Sequence, residues 1–273
     1  MKIIPAKKIE NVVAQLAIAA NLSLRKDVLA ALKRSYLRET NPRAKRILKA
    51  VIDNAVYARK EKLAICQDTG YPMVFLEVGQ GVCIKGVLKA AVNRGIELGY
   101  KKACLRKSVV KDPLLRGVSG FLPCLIHTDI VPGDKLKITV LPKGFGCENK
   151  SQLRMFKPTA QIEEVEDFVV EAVRSAGPDA CPPYVIGVGI GATADFACFL
   201  AKKALLKPVR RDLSKLERDL LNKINKLNIG PMGLGGKTTA LSVNVETHPT
   251  HIAGLPVAVN ISCHALRSAS KIL

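Results

Sequence analysis

Through about the first 60 residues, apolar positions recur with the period of a helix. Val12, Val13, Leu16 and Ala19 share one face of a first helix, and Leu29, Leu32 and Tyr36 extend the pattern into a second. Asn41-Pro42 stops that second helix. Pro42 is suited to open a third, because its missing N–H is one that a first helical turn leaves unbonded anyway. Ile47, Leu48, Val51, Ile52 and Ala55 mark the third helix. The pattern changes at Cys66, beyond which Met73-Val74-Phe75-Leu76 is an apolar run of strand type. Residues 87–100 return to helix and stop near Gly99, while 135–140 alternate as a strand. Pro132-Gly133-Asp134 stands between that strand and the apolar run before it, which predicts a hairpin. Helices are expected over 159–176, 192–206 and 212–227, a buried strand over 185–190, and strands over 241–246 and 255–261. Glycine punctuates two loops, 142–149 and 230–239. Internal repeats, low-complexity segments and Pro/Ser linkers are absent. The chain reads as a single domain over 1–273 with a mixed α/β fold: a helical N-terminal part to about residue 62, then a compact α/β unit with glycine-rich loops.

Composition narrows the class. A chain of 273 residues can bury about three quarters of its unfolded surface and needs no disulfide staples. Hydrophobic residues make up 48% and charged residues 24%, which describes a globular protein and argues against disorder. With aromatics at 4% and no Trp, the core must be built from Val, Ile, Leu and Ala. Apolar runs fall short of the ~20 residues that a membrane span requires. Lys2, Lys7 and Lys8 precede an apolar stretch broken by Glu10, Asn11 and Gln15 at helical spacing, so the start reads as an amphipathic helix rather than a signal peptide. A cytoplasmic protein is expected.

The net charge of +20 would attract nucleic acid, an acidic partner or an anionic substrate. Its positive charges are spread through the helical stretches 25–46 and 202–226 without interleaved aromatics. A solvated basic surface is therefore the first expectation and an acidic partner the second, ahead of specific nucleic-acid binding. The eight cysteines are dispersed, and none forms Cys-x-x-Cys. Taken singly, each reads as a small buried hydrophobe, and Cys83, Cys124 and Cys198, inside apolar runs, are assigned that way.

Two stretches imitate nucleotide motifs. In Gly230-Pro-Met-Gly-Leu-Gly-Gly-Lys237-Thr238 the first glycine of a phosphate-binding loop should stand at 231, which is Pro. A glycine-rich turn whose amides approach an anion, with Lys237 beside it, remains possible after that failure. Gly187-Val-Gly189-Ile-Gly-Ala192 follows a strand and precedes a helix. The acidic residue expected ~20 positions on, Asp212, falls in a charged helical stretch instead of ending a strand. Close strand-to-helix packing is the better account of these glycines.

More informative is Ile65-Cys66-Gln67-Asp68-Thr69-Gly70, which puts a thiol, an amide and a carboxylate on successive residues before a glycine-closed turn. There the cysteine could hold a metal while the next two side chains face a ligand. Cys181 precedes Pro182-Pro183-Tyr184 just before the buried strand, and Cys263 is followed by His264. Such wide separations identify nothing by themselves. With their flanks they do. The chain resembles the iron–sulfur hydro-lyases of the class I fumarate hydratase and L-tartrate dehydratase family, and within it the separate alpha subunit of two-subunit members. From about residue 10 to the C-terminus the resemblance covers Ile65 to Gly70, Leu105-Arg106-Lys107-Ser108, and Pro142-Lys-Gly-Phe145-Gly146-Cys147-Glu-Asn-Lys150. It continues through Ala180 to Tyr184, Gly233 to Ala240, His248-Pro-Thr-His251 and Ser262-Cys263-His264-Ala265.

The resemblance implies that Cys66, Cys181 and Cys263 hold a 4Fe–4S cluster in which one iron lacks a protein thiolate. That iron would act as a Lewis acid toward a small dicarboxylate substrate. It implies Asp68 and His251 as catalytic groups and Gln67, Arg106, Gly146 and Lys237 as substrate contacts, with a structural role for Lys237 as the alternative. Phe145 and Cys147 depart from the family pattern, standing where related loops often have Gly and Ser. Fused members carry the catalytic Thr and further Arg/Lys ligands on another domain. The resemblance thus implies a beta subunit that completes the site, in an α2β2 assembly. The expected activity is reversible hydration of fumarate to L-malate, made sensitive to air by an exposed iron. Conversion of L-tartrate to oxaloacetate is the alternative, and a basic nucleotide- or nucleic-acid-binding protein is the alternative from another class.

Overall fold

A computed structural model describes all residues, Met1–Leu273. The chain opens with β1 (Lys2–Pro5), α1 (Ala6–Leu22), α2 (Lys26–Arg38) and α3 (Pro42–Glu61). Next come β2 (Tyr71–Gly79), β3 (Val82–Lys85), α4 (Leu88–Lys102), β4 (Val109–Asp112), β5 (Arg116–Gly120), β6 (Leu125–Val131) and β7 (Leu136–Lys143). A short α5 (Phe145–Glu148), β8 (Gln152–Phe156), α6 (Ile162–Ala176), β9 (Tyr184–Gly191) and α7 (Ala194–Ala204) follow. α8 (Lys215–Asn225), β10 (Ala240–His248), β11 (Leu255–Ser262) and β12 (Ala269–Ile272) complete the mixed α/β fold. No helix is long and apolar enough to cross a membrane. The elements gather into two compact units: unit one takes Met1–Arg25, Ala55–Gly144 and Arg267–Leu273, and unit two takes Lys26–Asn54 and Phe145–Leu266.

In unit one a four-stranded sheet runs β12-β7-β2-β6. Its second-from-edge strand β2 is buried from Pro72 to Leu76, so it takes an inner place, antiparallel to β7 and parallel to β6. This overturns the expected hairpin: β6 and β7 each bond to β2 and not to one another. The Pro132-Gly133-Asp134 turn instead arches over the end of β2, where the Gly81 amide donates to the Gly133 carbonyl at 2.8 Å. A Cβ on Gly79 would stand 2.6 Å from that carbonyl oxygen, which explains the glycine. Helices α1 and α4 cross where Gly95 and Gly99 admit the α1 backbone, since a Cβ at either would meet a carbonyl oxygen of Glu10 or Ala14 within 2.7 Å. Beneath them Val74, Leu76, Ile138 and Val140 of the sheet pack with Val13, Val92 and Ile96. The first helix is shorter than expected at its start. Lys2–Pro5 is a strand lying parallel to β3, a long-range pairing that helical periodicity cannot signal.

The sheet of unit two runs β10-β9-β11-β8, with β9 parallel to β10 and antiparallel to β11. Alternation along β9 separates its two faces. Ile186 and Val188 join Phe168, Val169, Val173, Leu220 and Ile224 from α6 and α8 in the larger core. Gly187 and Gly189 face α7, where a Cβ would stand 2.0 Å from the Ala201 oxygen or 2.1 Å from the Ala197 oxygen. The glycines of the dinucleotide-like motif are thus packing glycines.

Helix α8 is started by a capping box: Ser214 Oγ accepts from the Glu217 amide, and the Glu217 carboxylate accepts from the Ser214 amide. The Val245 amide donates to that carboxylate as well, at 2.9 Å. Burial would raise the Glu217 carboxyl, but the hydrogen bonds from Val245 and Ser214 outweigh it and hold the group below its ordinary 4.5. A depressed carboxyl contributes stability that is present above the unfolded-state value and lost as pH falls through the folded one. Glu217→Gln is therefore expected to flatten the fall of stability below about pH 4.5, measured by urea unfolding across pH 3–7. An unchanged slope would remove Glu217 from the acid response.

Candidate active site

In unit one the Cys66–Gly70 segment lies in the link between α3 and β2 and is fastened from several directions. The Ile65 amide donates to Asn21 at 3.0 Å, and the Tyr100 hydroxyl donates to the Thr69 carbonyl at 3.0 Å. Burial raises the Tyr100 hydroxyl far above its ordinary range, so it stays a donor. Asp68 Oδ1 accepts from the Gly70 amide at 2.9 Å, an Asx turn. Gly70 adopts a φ of +78°, and a Cβ there would lie 2.6 Å from the Pro142 carbonyl carbon. Only glycine fits at this crossing with the end of β7. Buried Thr69 binds the next segment, since its Oγ1 accepts from the Arg106 amide at 3.1 Å. Gln67 and Arg106 are exposed, Cys66 and Asp68 half-buried. The fold thus brings Gln67, Asp68 and Arg106 together around one turn.

Two cations stand at this turn, Lys143 within the Pro142–Lys150 motif and Arg267 outside every motif named above. Arg267 is 4% exposed and donates from Nη2 to the Asp68 carbonyl. Lys143 is 2% exposed and lies opposite Tyr71 in the β2–β7 ladder, one residue from Gly70. Charged residues are rarely so buried, and only the folded chain reveals that these two are.

Unit two joins Cys181 and Cys263, which stand 82 positions apart. The carbonyl of Cys181 accepts from the His264 amide at 3.4 Å and lies 3.1 Å from His264 Nδ1. A carbonyl can only accept, so the ring proton sits on Nδ1. Cys181 has a φ of 56°, uncommon for a residue with a side chain. Its turn is held from both sides. The Cys147 thiol donates to the Ala180 carbonyl at 3.3 Å, and the Met232 amide donates to the Pro182 carbonyl at 2.9 Å. Cys147 is therefore a buried brace for the Cys181 turn. Glu148 fixes the same loop by bonding Lys202 at 2.5 Å and Asn260 at 3.1 Å, and Gly146 lies exposed on α5.

The glycine-rich loop uses its own amides. Gly230 donates to Thr239 Oγ1, Gly233 to Gly230, Leu234 to Pro231, Gly235 to Ile229 and Gly236 to Asn228 Oδ1. Lys237 donates from its amide to buried Glu39 at 2.8 Å and from Nζ to the Arg38 carbonyl at 3.4 Å. The anion that this loop approaches is a carboxylate of the protein itself, and no phosphate cradle is left. His251 lies exposed between β10 and β11, where Nδ1 accepts from the Ala253 amide at 3.2 Å; the neutral ring then carries its proton on Nε2.

None of the eight cysteines is in a disulfide. Cys124 is buried, and burial raises its thiol to about 11. Cys83 is half-buried, and Cys198 is exposed on α7, which corrects its assignment as a core residue. Cys66, Cys181 and Cys263 are half-buried, and no three His, Cys, Asp or Glu side chains converge on one metal-ion position.

The profile of the fumarate hydratase (Fumerase) family matches residues 10–271. The chain belongs to this family. It is 40% identical to a Methanocaldococcus jannaschii protein provisionally named L(+)-tartrate dehydratase subunit alpha, across 97% of each chain. It is 32% identical to the L(+)-tartrate dehydratase subunit alpha of Escherichia coli strain UTI89, across 95% of this chain and 89% of that one. The corresponding subunit of Escherichia coli strain K12 is 30% identical, across 97% of this chain and 91% of that one. The family match makes this chain a hydro-lyase and bears out the resemblance drawn from the motifs.

Proposed function

We propose that the chain is the alpha subunit of a two-subunit hydro-lyase acting on a 2-hydroxy dicarboxylate, with Cys66, Cys181 and Cys263 holding a 4Fe–4S cluster. The observation that carries this reading is the bond from His264 to the Cys181 carbonyl, which joins two of the three cysteine segments across 82 positions. The chemistry of the residues fits such a group. All three cysteines are half-buried and outside any disulfide, and the neighbouring Cys147 thiol donates to Ala180. Cysteine thiolates are the ligands such a group would take, and these three residues would supply them. Buried Arg267, whose Nε has no hydrogen-bond acceptor, suits an anionic group near the Cys66 turn.

When bound, the cluster supplies a Lewis acid for a substrate carboxylate and the leaving hydroxyl. The protein must then bind the dicarboxylate and move protons. Exposed Arg106 is assigned to a substrate carboxylate, which its guanidinium can grip through two parallel hydrogen bonds. Gln67 and Asp68 face the substrate from the same turn. His251, with its proton on Nε2, can donate or relay a proton, and Gly146 offers backbone to the ligand. Lys237 is better supported as part of its own loop, through its bonds to Glu39 and Arg38.

A beta subunit is proposed to supply the remaining acid/base and cationic groups in an α2β2 assembly, consistent with relatives named as alpha subunits. The same names favour L-tartrate over malate as substrate. Anaerobic co-expression with the beta-subunit homologue of the same genome tests the reading. The complex should contain iron and sulfide in equal amounts, form oxaloacetate from L-tartrate faster than fumarate from malate, and lose activity in air. A complex without iron would overturn the cluster, and fumarate as the faster product would reverse the substrate order.

A further inference from the structure

Arg267 carries an inference of its own. Its side chain is 4% exposed, yet its Nη2 donates to a neutral carbonyl, that of Asp68, while its Nε–H has no hydrogen-bond acceptor. A neutral carbonyl orients a guanidinium but does not balance its charge, and an unbalanced buried charge is costly. The carbonyl it grips lies two residues beyond Cys66, in a turn otherwise secured by Tyr100, Thr69 and the glycine crossing at Gly70. Arginine is suited to both tasks, since its fork fixes a direction and its charge persists at every working pH.

We propose that Arg267 is a positioning residue: it fixes the backbone of the Cys66–Gly70 turn and provides the buried positive charge that an anionic group held at Cys66 requires. The second half rests on the cluster reading, and the first does not. The contrast between Arg267→Gln, which removes the charge at similar size, and Arg267→Lys, which keeps the charge without the fork, separates the two.

In the metal-free full chain, amide hydrogen exchange over residues 64–71 should rise at least ~10-fold in R267Q and by less in R267K, with the far-UV circular dichroism of both unchanged. In the reconstituted complex, R267Q should lose iron to a chelator roughly 10-fold faster than wild type, the scale of effect that groups supporting metal ligands produce. Its cluster should also show a more negative midpoint potential than that of R267K. A structural brace alone would not distinguish the two variants by charge. Wild-type exchange over 64–71 in R267Q would overturn the positioning role. Equal potentials and equal iron loss in R267Q and R267K would overturn the charge role. A wild-type complex that binds no iron would sink the cluster reading and the charge role with it, while the exchange measurement would still decide positioning. If R267Q does not fold, R267K carries the exchange test, because a lysine cannot reproduce the fork.

Discussion

Serine at Cys66, Cys181 or Cys263 is expected to abolish iron binding and lower turnover by about 10³-fold or more, the scale of losing a Lewis acid that stabilises transition-state charge. A hydroxyl is a hard, weakly acidic ligand and does not replace a thiolate on an iron–sulfur cluster. The substitution barely changes volume, so stability should hold, and the loss can be read as chemistry. Two control cysteines sharpen the test. Cys83 is half-buried in β3 beside β1. Cys147 lies much nearer, donating to the carbonyl of Ala180 just before Cys181, and a serine can make the same bond. Cys83→Ser and Cys147→Ser should retain iron within about twofold of wild type. Iron lost from Cys147→Ser but kept in Cys181→Ser would overturn the ligand set, and anaerobic iron and sulfide analysis of the five variants decides it.

Alanine at Gly187 or Gly189 should cost about 3 kcal/mol or more of unfolding free energy, at the upper end of overpacking penalties. The added methyl would meet the carbonyl oxygens of Ala201 or Ala197 at 2.0 and 2.1 Å, and these belong to a helix backbone that cannot swing aside as a side chain can. Relief requires α7 to lift from β9, parting Ala197 and Ala201 from Ala258. The chain has no Trp, so far-UV circular dichroism in urea is the suitable probe. A loss below about 1 kcal/mol would show that α7 is not seated on these glycines. A dinucleotide loop predicts the reverse pattern, with little change in stability and a change in cofactor affinity.

Periodicity made most of the helices legible, along with the strands whose burial is strong, because a 3.6-residue or two-residue repeat is a local property. Pairing is not local. The Pro132-Gly133-Asp134 turn has every mark of a hairpin, and nothing near it indicates that β2, about 55 residues earlier, takes the place between its arms. The short β1, β3 and β12 are similarly defined by their partners. Flanking motifs singled out Cys66, Cys181 and Cys263 as the proposed ligands, and the misplaced Asp212 pointed to the packing role of Gly187 and Gly189. The buried cations were not legible. Lys143 stands inside a matched motif and Arg267 in none, yet nothing local to either shows that the fold buries it at the Gly70 turn. Cys198 misled in the opposite direction, since an apolar run along α7 does not say which of its faces meets solvent.

The composition of unit one has a consequence for the order in which the protein forms. Its sheet includes β12, and Leu273 exchanges two backbone hydrogen bonds with Leu136, at 2.8 and 3.1 Å. On a ribosome, residues 145–266 emerge as a continuous stretch of unit two while the sheet of unit one still lacks a strand. The turn that carries Cys66 is made early but acquires the grip of Arg267 only when residue 267 has left the exit tunnel. Asp68 therefore waits for a residue 199 positions later in the chain before its carbonyl is gripped.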